Sequence, residues 1–305
     1  METIYFLVQQ TMLFSIPLLL VALGGMFSER SGVVNIALEG IMIIGAFTGI
    51  FFISRFGNLF SPTITLFIAI IISALSGLIF SLLHAYASIN MSADQVISGT
   101  ALNIFAPAFA IYVTRAIQVV QQISFVNNFR IESVPVLGNI PIIGNLLFKN
   151  AYITTYLGFI ILALSWFALY KTRFGLRLRS CGEHPQAADS VGINVYKMRY
   201  FGVAISGALA GIGGLVFVIP TSTNFNATVA GYGFLALAVL IFGQWKPIRI
   251  LYAAFFFGLM KTLASAYSGI PILSNLPISN SVYKMIPYIT TIIVLAFTSK
   301  NSQAP

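Results

Sequence analysis

Charge is scarce in this chain. Only 8% of its 305 residues are charged against 58% hydrophobic, and Asp and Glu number seven. Soluble domains carry about a quarter charged residues. Repeated apolar runs near membrane length therefore exclude a water-soluble globule and require a polytopic helical membrane protein. Cysteine is almost absent. The single Cys181 rules out an intrachain disulfide and a cysteine-built metal cage. The two histidines, His84 and His184, lie far apart and belong to no HExxH or Cys/His cluster, which argues against metal catalysis. No grouped residues suggest a nucleophilic triad, and there is no GxxxxGK[ST] loop to cradle ATP phosphates. The chain is therefore read as a non-enzyme that binds no cofactor, with any ATP-driven work left to another subunit. No cleavable signal is expected, because Met1-Glu2-Thr3 offers no basic n-region, and the run from Tyr5 to Met26, long enough to span, reads as the first transmembrane helix.

Positive charge is what remains. Sixteen Lys and Arg give a net charge of +9, yet they sit beside apolar runs without interleaved aromatics, so they report topology and no nucleic-acid partner is expected. Six of them (Lys171, Arg173, Arg177, Arg179, Lys197, Arg199) fall in one polar island, KTRFGLRLRSCGEHPQAADSVGINVYKMR, at 171–199. The positive-inside rule assigns that island to the cytoplasm. Helices are expected at 5–26, 36–54, 63–86, 95–114, 152–170, 200–219, 230–243, 248–266 and 283–298. The fold class is thus an all-α polytopic membrane protein, with about nine transmembrane or partly re-entrant helices in a single transmembrane domain over 1–305. If all nine cross, the N-terminus lies outside. Arg30, the island, Lys246, Arg249 and Lys300 are then inside. Arg55, Arg115, Arg130 and Lys149 are outside, with Lys261 and Lys284 within helices. Trp166, Tyr170 and Trp245 should mark the inner interface and Tyr152 the outer one.

Local signals place some boundaries. Ser61-Pro62 and the capping-box pattern Ser92-Ala93-Asp94-Gln95 predict helix starts. The segment Gly231–Gly243 is short for a full crossing, so a broken or re-entrant helix is expected there. The external segment 115–151, with Pro135, Gly138, Pro141 and Gly144, reads either as a compact lid or as a tolerated surface insertion.

Polar residues at membrane depth are the path candidates. Asn35 and Glu39, four apart, share one face at the start of the second helix. A carboxylate there faces a cavity or partner, or else Glu29 and Glu39 pair with Arg30 or lie at the interface as structural polar residues. Asn103 either lines the same path or joins neighbouring helices. Gly45 with Gly49 and Gly207 with Gly211 are small-xxx-small packing pairs. Glycine-rich polar stretches recur at 24–49 and 207–243.

Taken together, SERSGVVNIALEGIMIIGAF, SADQVISGTALN, FGLRLRSCGEHPQAADSVGINVYKMRYFGVAISGALAGIGG and AGYGFLALAVLIFGQWKPI resemble the permease subunits of bacterial ABC importers for branched-chain amino acids, ribose and nucleosides. The nucleoside, or simple-sugar, branch is the nearest match. The resemblance implies a type II ABC importer-like bundle that moves its cargo by alternating access. It also implies cytoplasmic ABC ATPase subunits that carry ATP and Mg, a second and non-identical permease subunit, and an external lipoprotein-type substrate-binding protein, all at the lipid bilayer of the cell membrane.

By the same resemblance, 171–199 is a coupling loop whose short helix fits the ATPase. The matching residues are Gly182, Glu183, His184, Pro185, Gln186, Ala187, Ala188, Asp189, Gly192 and Asn194. Pro185 suits a first helical turn and Gly192 an end. The family pattern commonly has Asn where His184 stands, a conservative departure. The rival reading from another class is an ion-coupled secondary transporter with Glu39 as its coupling carboxylate. A channel is a third possibility, and within the importer reading the cargo could instead be a ribose-like sugar or a branched-chain amino acid.

Overall fold

The computed structural model describes residues 2–133 and 149–266, with the isolated positions 144, 146, 282, 285, 289 and 292. Among these, seven helices are long and apolar enough to cross a membrane. They are α1 (Glu2–Glu29), α2 (Leu38–Phe56), α3 (Pro62–Ala85), α4 (Gln95–Gln118), α5 (Ile153–Lys171), α8 (Val195–Thr221) and α10 (Pro247–Ala266). Three shorter helices complete the set: α6 (Arg173–Glu183), α7 (Pro185–Ser190) and α9 (Tyr232–Phe242). A π-helical turn, Tyr86–Asn90, follows α3. Of the expected helix at 283–298 only the isolated positions 285, 289 and 292 are described, and Pro135, Gly138 and Pro141 of the expected lid lie outside the described residues.

The helix starts follow local chemistry. Pro62 occupies the first turn of α3, although Ser61 makes no side-chain cap. At α4 the cap is Asp94, whose Oδ1 accepts from the Val96 and Ile97 amides at 2.7 and 3.1 Å. The expected box from Ser92 to Gln95 does not form. Ser92 sits at φ 51°, and Gln95 reaches away to accept from the Val34 amide at 2.7 Å.

Two pairs of short strands add a little β-structure to a chain expected to be all-helical. β1 (Ile123–Ser124) pairs with β4 (Asn224–Phe225), and β2 (Arg130–Ser133) pairs with β3 (Lys149–Tyr152), both antiparallel. They join the ends of α4 and α8, and the approach to α5, at one end of the bundle. The opposite end carries α6, α7 and the loop 30–37. These are the strand end and the basic end.

α1, α2, α3 and α8 form the centre. Lipid tails give apolar side chains no reason to prefer a helix over the bilayer, so close backbone approach has to supply the packing. Here it does. A side chain on Gly211 of α8 would collide with the Ser73 carbonyl of α3, one on Gly45 of α2 would strike Gly211, and one on Gly77 would strike the Gly207 carbonyl. Ser73 donates to the Gly45 carbonyl at 2.8 Å across the same seam. The small-xxx-small pairs are packing devices, and the stretches 24–49 and 207–243 meet along them.

The short segment around α9 is a broken crossing. It leaves the strand end at β4, turns at Ala230 and Gly231 (φ 53° and 77°), and forms only the eleven residues of α9. It emerges at the basic end, where Trp245 meets Glu29. α10 then returns beside α1, with Thr262 next to Thr11. The chain therefore crosses here without re-entering, and the order of crossings is that of a full span.

Candidate functional site

Two neighbouring features make up the site: the loop 30–37 with α9, and the α6–α7 hairpin. At the N-terminus of α9, the first amides have no partners within the helix. Glu39 supplies them from α2. Its Oε1 accepts from the Gly231 amide at 2.9 Å and its Oε2 from the Gly233 amide at 2.6 Å. A carboxylate at a helix N-terminus also meets the positive end of the helix dipole. Glu39 is thus a cap delivered from a separate helix, and it does not pair with Arg30.

Asn35 and Asn103 hold the start of α2. Asn35 Nδ2 donates to Ser206 Oγ at 2.9 Å, and its Oδ1 accepts from the Ala37 amide at 3.2 Å. Asn103 Oδ1 accepts from the Gly40 amide at 2.7 Å, and its Nδ2 donates to the Ile36 carbonyl at 2.9 Å. All three path candidates therefore gather around one junction, where their polar atoms engage the backbone or Ser206. His84, fully buried, joins them. Its Nε2 lies 3.0 Å from the Val34 carbonyl and its Nδ1 3.1 Å from Ser98 Oγ, which fixes the proton on Nε2. Sequence reasoning passed over His84, Gln95 and Ser206 in this role. Only the scarcity of polar groups in apolar runs pointed to them.

At the far end of α9 a second polar cluster forms. Trp245 Nε1 donates to Glu29 Oε2 at 2.5 Å, Arg30 Nη2 donates to the Trp245 carbonyl at 3.2 Å, and Arg30 Nη1 stands 3.9 Å from Glu183 Oε1. Burial pulls the Arg30 guanidinium below its usual value, against the favourable charge of Tyr170 and Glu183. Trp245 was expected among headgroups. It is buried because its ring nitrogen finds a carboxylate inside the bundle. Glu29 and Arg30 do not pair with each other.

The basic island folds into more helix than its sequence suggested. α6 is capped by Thr172, whose Oγ1 accepts from the Gly175 amide at 3.2 Å. Gly175 lies against the Ala168 and Leu169 carbonyls, where a side chain would not fit, so α6 folds back sharply on the end of α5. Leu178 and Cys181 face inward, and burial pushes the Cys181 thiol up. Arg173, Leu176 and Arg177 face outward. Gly182 packs on the Arg30 carbonyl.

α7 begins with Pro185 in its first turn after His184. It closes through the Gly192 amide to the Asp189 carbonyl at 2.9 Å and the Ile193 amide to the Ala188 carbonyl at 3.1 Å, with Gly192 at φ 81°. Gln186, Ala187 and Asp189 are exposed, whereas Ala188 is buried. Asn194 caps α8, accepting from the Lys197 amide at 2.9 Å. No group of three or more His, Cys, Asp or Glu suited to a metal occurs among the described residues.

A bundle with a broken span packed against its central helices and a short exposed helix at its basic end has the build of a membrane transport permease. A family model described as "Branched-chain amino acid transport system / permease component" matches residues 7–295, and the chain belongs to that family. It is a multi-pass cell-membrane protein.

Among curated relatives, the chain is 42% identical over 305 residues to the nucleoside ABC transporter permease protein NupC of Lactococcus lactis subsp. cremoris, covering 100% of this chain and 95% of that one. It is 44% identical over 301 residues to the guanosine ABC transporter permease protein NupQ of Bacillus subtilis, covering 98% and 93%. A putative glucose ABC transporter permease protein of Haloferax volcanii, TsgC13, is 29% identical over 304 residues, covering 92% and 87%. No solved structure matches the chain. Membership of such a permease family implies ATPase and substrate-binding partners in general.

Proposed function

We propose that this chain is the transmembrane subunit of an ATP-driven nucleoside importer and that α7 is its contact with the ATPase. The carrying observation is α7 itself: a short helix, started by Pro185 and stopped at Gly192, that presents Gln186, Ala187 and Asp189 to solvent while Ala188 anchors it inward. The positive-inside rule makes this end cytoplasmic, since Arg30, the island, Lys246 and Arg249 gather there while Arg55, Arg115, Arg130 and Lys149 lie at the strand end. The similarity over nearly the whole chain to nucleoside and guanosine permeases supports a nucleoside cargo over a sugar or a branched-chain amino acid.

In this reading a non-identical second permease subunit encloses the path with this chain, and a lipoprotein-type binding protein delivers substrate at the strand end. The path runs beside the break before α9, where Asn35, Glu39 and Asn103 order the wall. Gly182, Glu183 and His184 root the coupling helix on the loop at Arg30, and Asn194 leads out of it into α8. ATP and Mg are held by the ATPase.

The test is capture of the ATPase and uptake of tritiated guanosine in liposomes. Reconstituted with the second permease subunit and the binding protein, the wild-type chain should capture the ATPase and import only when the ATPase is present, and Ala187→Arg should abolish capture while leaving the purified chain monodisperse. Unaided uptake, abolished by Glu39→Gln, would instead support an ion-coupled transporter. Glu39 argues against that alternative, because both its oxygens are held by backbone amides.

A further inference from the structure

α9 is set off from the rest of the bundle by two corners. Before it, Ala230 and Gly231 are left-handed. After it, Gln244 and Trp245 take φ 49° and 52°, a region costly for side-chain-bearing residues and one that persists only where the surroundings hold it. Each corner is fastened to a different partner. The first is held by Glu39 from α2, through the Gly231 and Gly233 amides. The second is held at the basic end, where Glu29 accepts from the Trp245 indole and Arg30 donates to the Trp245 carbonyl. Arg30 has a second contact. Its other terminal nitrogen reaches Glu183, two residues before the first turn of α7, and its own carbonyl abuts Gly182.

One guanidinium therefore touches both the root of α7 and the end of the half-helix. An arginine suits that position because its planar fork offers several donors, so one side chain donates to the Trp245 carbonyl while its other terminal nitrogen stands at ion-pair distance from Glu183. We propose that Arg30 is a positioning residue that passes displacement of α7 to α9, which makes the half-helix the membrane element driven from the cytoplasm. This inference rests on the importer reading above and adds the route by which force enters the bundle. Movement of α7 pulls on Glu183 and Gly182, and Arg30 carries the pull to the Trp245 corner. α9 then tilts about its Glu39 cap, beside the proposed path.

The experiment uses the assembled importer in liposomes and records tritiated guanosine uptake and ATP hydrolysis in the same preparation. Arg30→Gln removes the two-way contact, and Trp245→Phe removes the indole donor while keeping an aromatic ring. Each should still capture the ATPase and hydrolyse ATP, while uptake per ATP falls roughly three- to thirty-fold. The two together should do no more harm than the worse one alone, because both interrupt one route.

A merely structural contact would lower the melting temperature and both activities in parallel, leaving their ratio unchanged. An unchanged ratio in folded variants, additive losses, or failure of both variants to assemble would overturn the proposal. If the wild-type chain neither captures an ATPase nor imports with it, the importer reading itself has failed, an outcome separable from failure of the Arg30 route.

Discussion

α8 and α4 are both apolar spans, yet they live in opposite surroundings. In α8, 83% of the most apolar stretch is buried within the bundle, against 17% in α4, at mean hydropathies of 2.2 and 1.7. α3 is more apolar than either, at 2.7, and only 33% of its stretch is buried. Hydropathy therefore selects which segments enter the membrane and does not decide which of them meet protein. The small residues decide that. α8 carries Gly202, Ser206, Gly207, Gly211, Gly213 and Gly214, whereas α4 places Ile97, Ile104 and Tyr112 on an exposed face. Bulky chains suit lipid, and close helix contact needs the small ones.

The contrast is open to direct challenge. Gly211→Leu on α8 should have the largest effect, costing about 3 kcal/mol or more, because the new side chain meets the backbone of Ser73 and Gly77, which cannot rotate away. The check is loss of monodisperse protein after detergent extraction, and normal recovery would show that the seam is looser than its geometry.

Glu39→Ala comes next. It strips the Gly231 and Gly233 amides of their acceptors and should cost about 1–3 kcal/mol, read as a lower melting temperature. Glu39→Gln should fall between this variant and the wild type, since its amide oxygen still accepts.

Asn103→Ala opens the contact between the otherwise exposed α4 and the start of α2. It should cost about 0.6–1.7 kcal/mol by the same measurement.

Ile104→Ala, on the outer face of α4, should stay within about 0.5 kcal/mol and leave guanosine uptake unchanged. A collapse of uptake with the melting temperature intact would show that this face meets a protein, and the comparison would then be between two kinds of protein contact.

The parts that could be read from sequence were those governed by local rules. Apolar runs located the spans among the described residues to within about five residues, Pro185 and Gly192 bracketed α7, and the length of the stretch at 230–243 betrayed a broken helix. The parts that escaped depend on partners far along the chain. Glu39 caps an amide 192 positions away, Asn35 binds Ser206 across 171, and Trp245 binds Glu29 across 216. No spacing rule links residues so far apart. α6 escaped for a different reason: its closely set Arg and Gly residues look like a solvated turn until Leu178 and Cys181 are seen facing inward. At α4 the sequence pointed to a box from Ser92 to Gln95, and the structure caps the helix with Asp94 instead.

Where Gly45, Gly77, Gly207 and Gly211 bring main chain onto main chain, no rotamer is available to absorb sliding, and tightly packed interfaces shift between discrete arrangements without deforming smoothly. α2, α3 and α8 must then travel as one solid wedge. Opening the protein to one side of the bilayer means tipping that wedge against its lighter-packed surroundings, so the pivots belong in the corners flanking it and not in its interior.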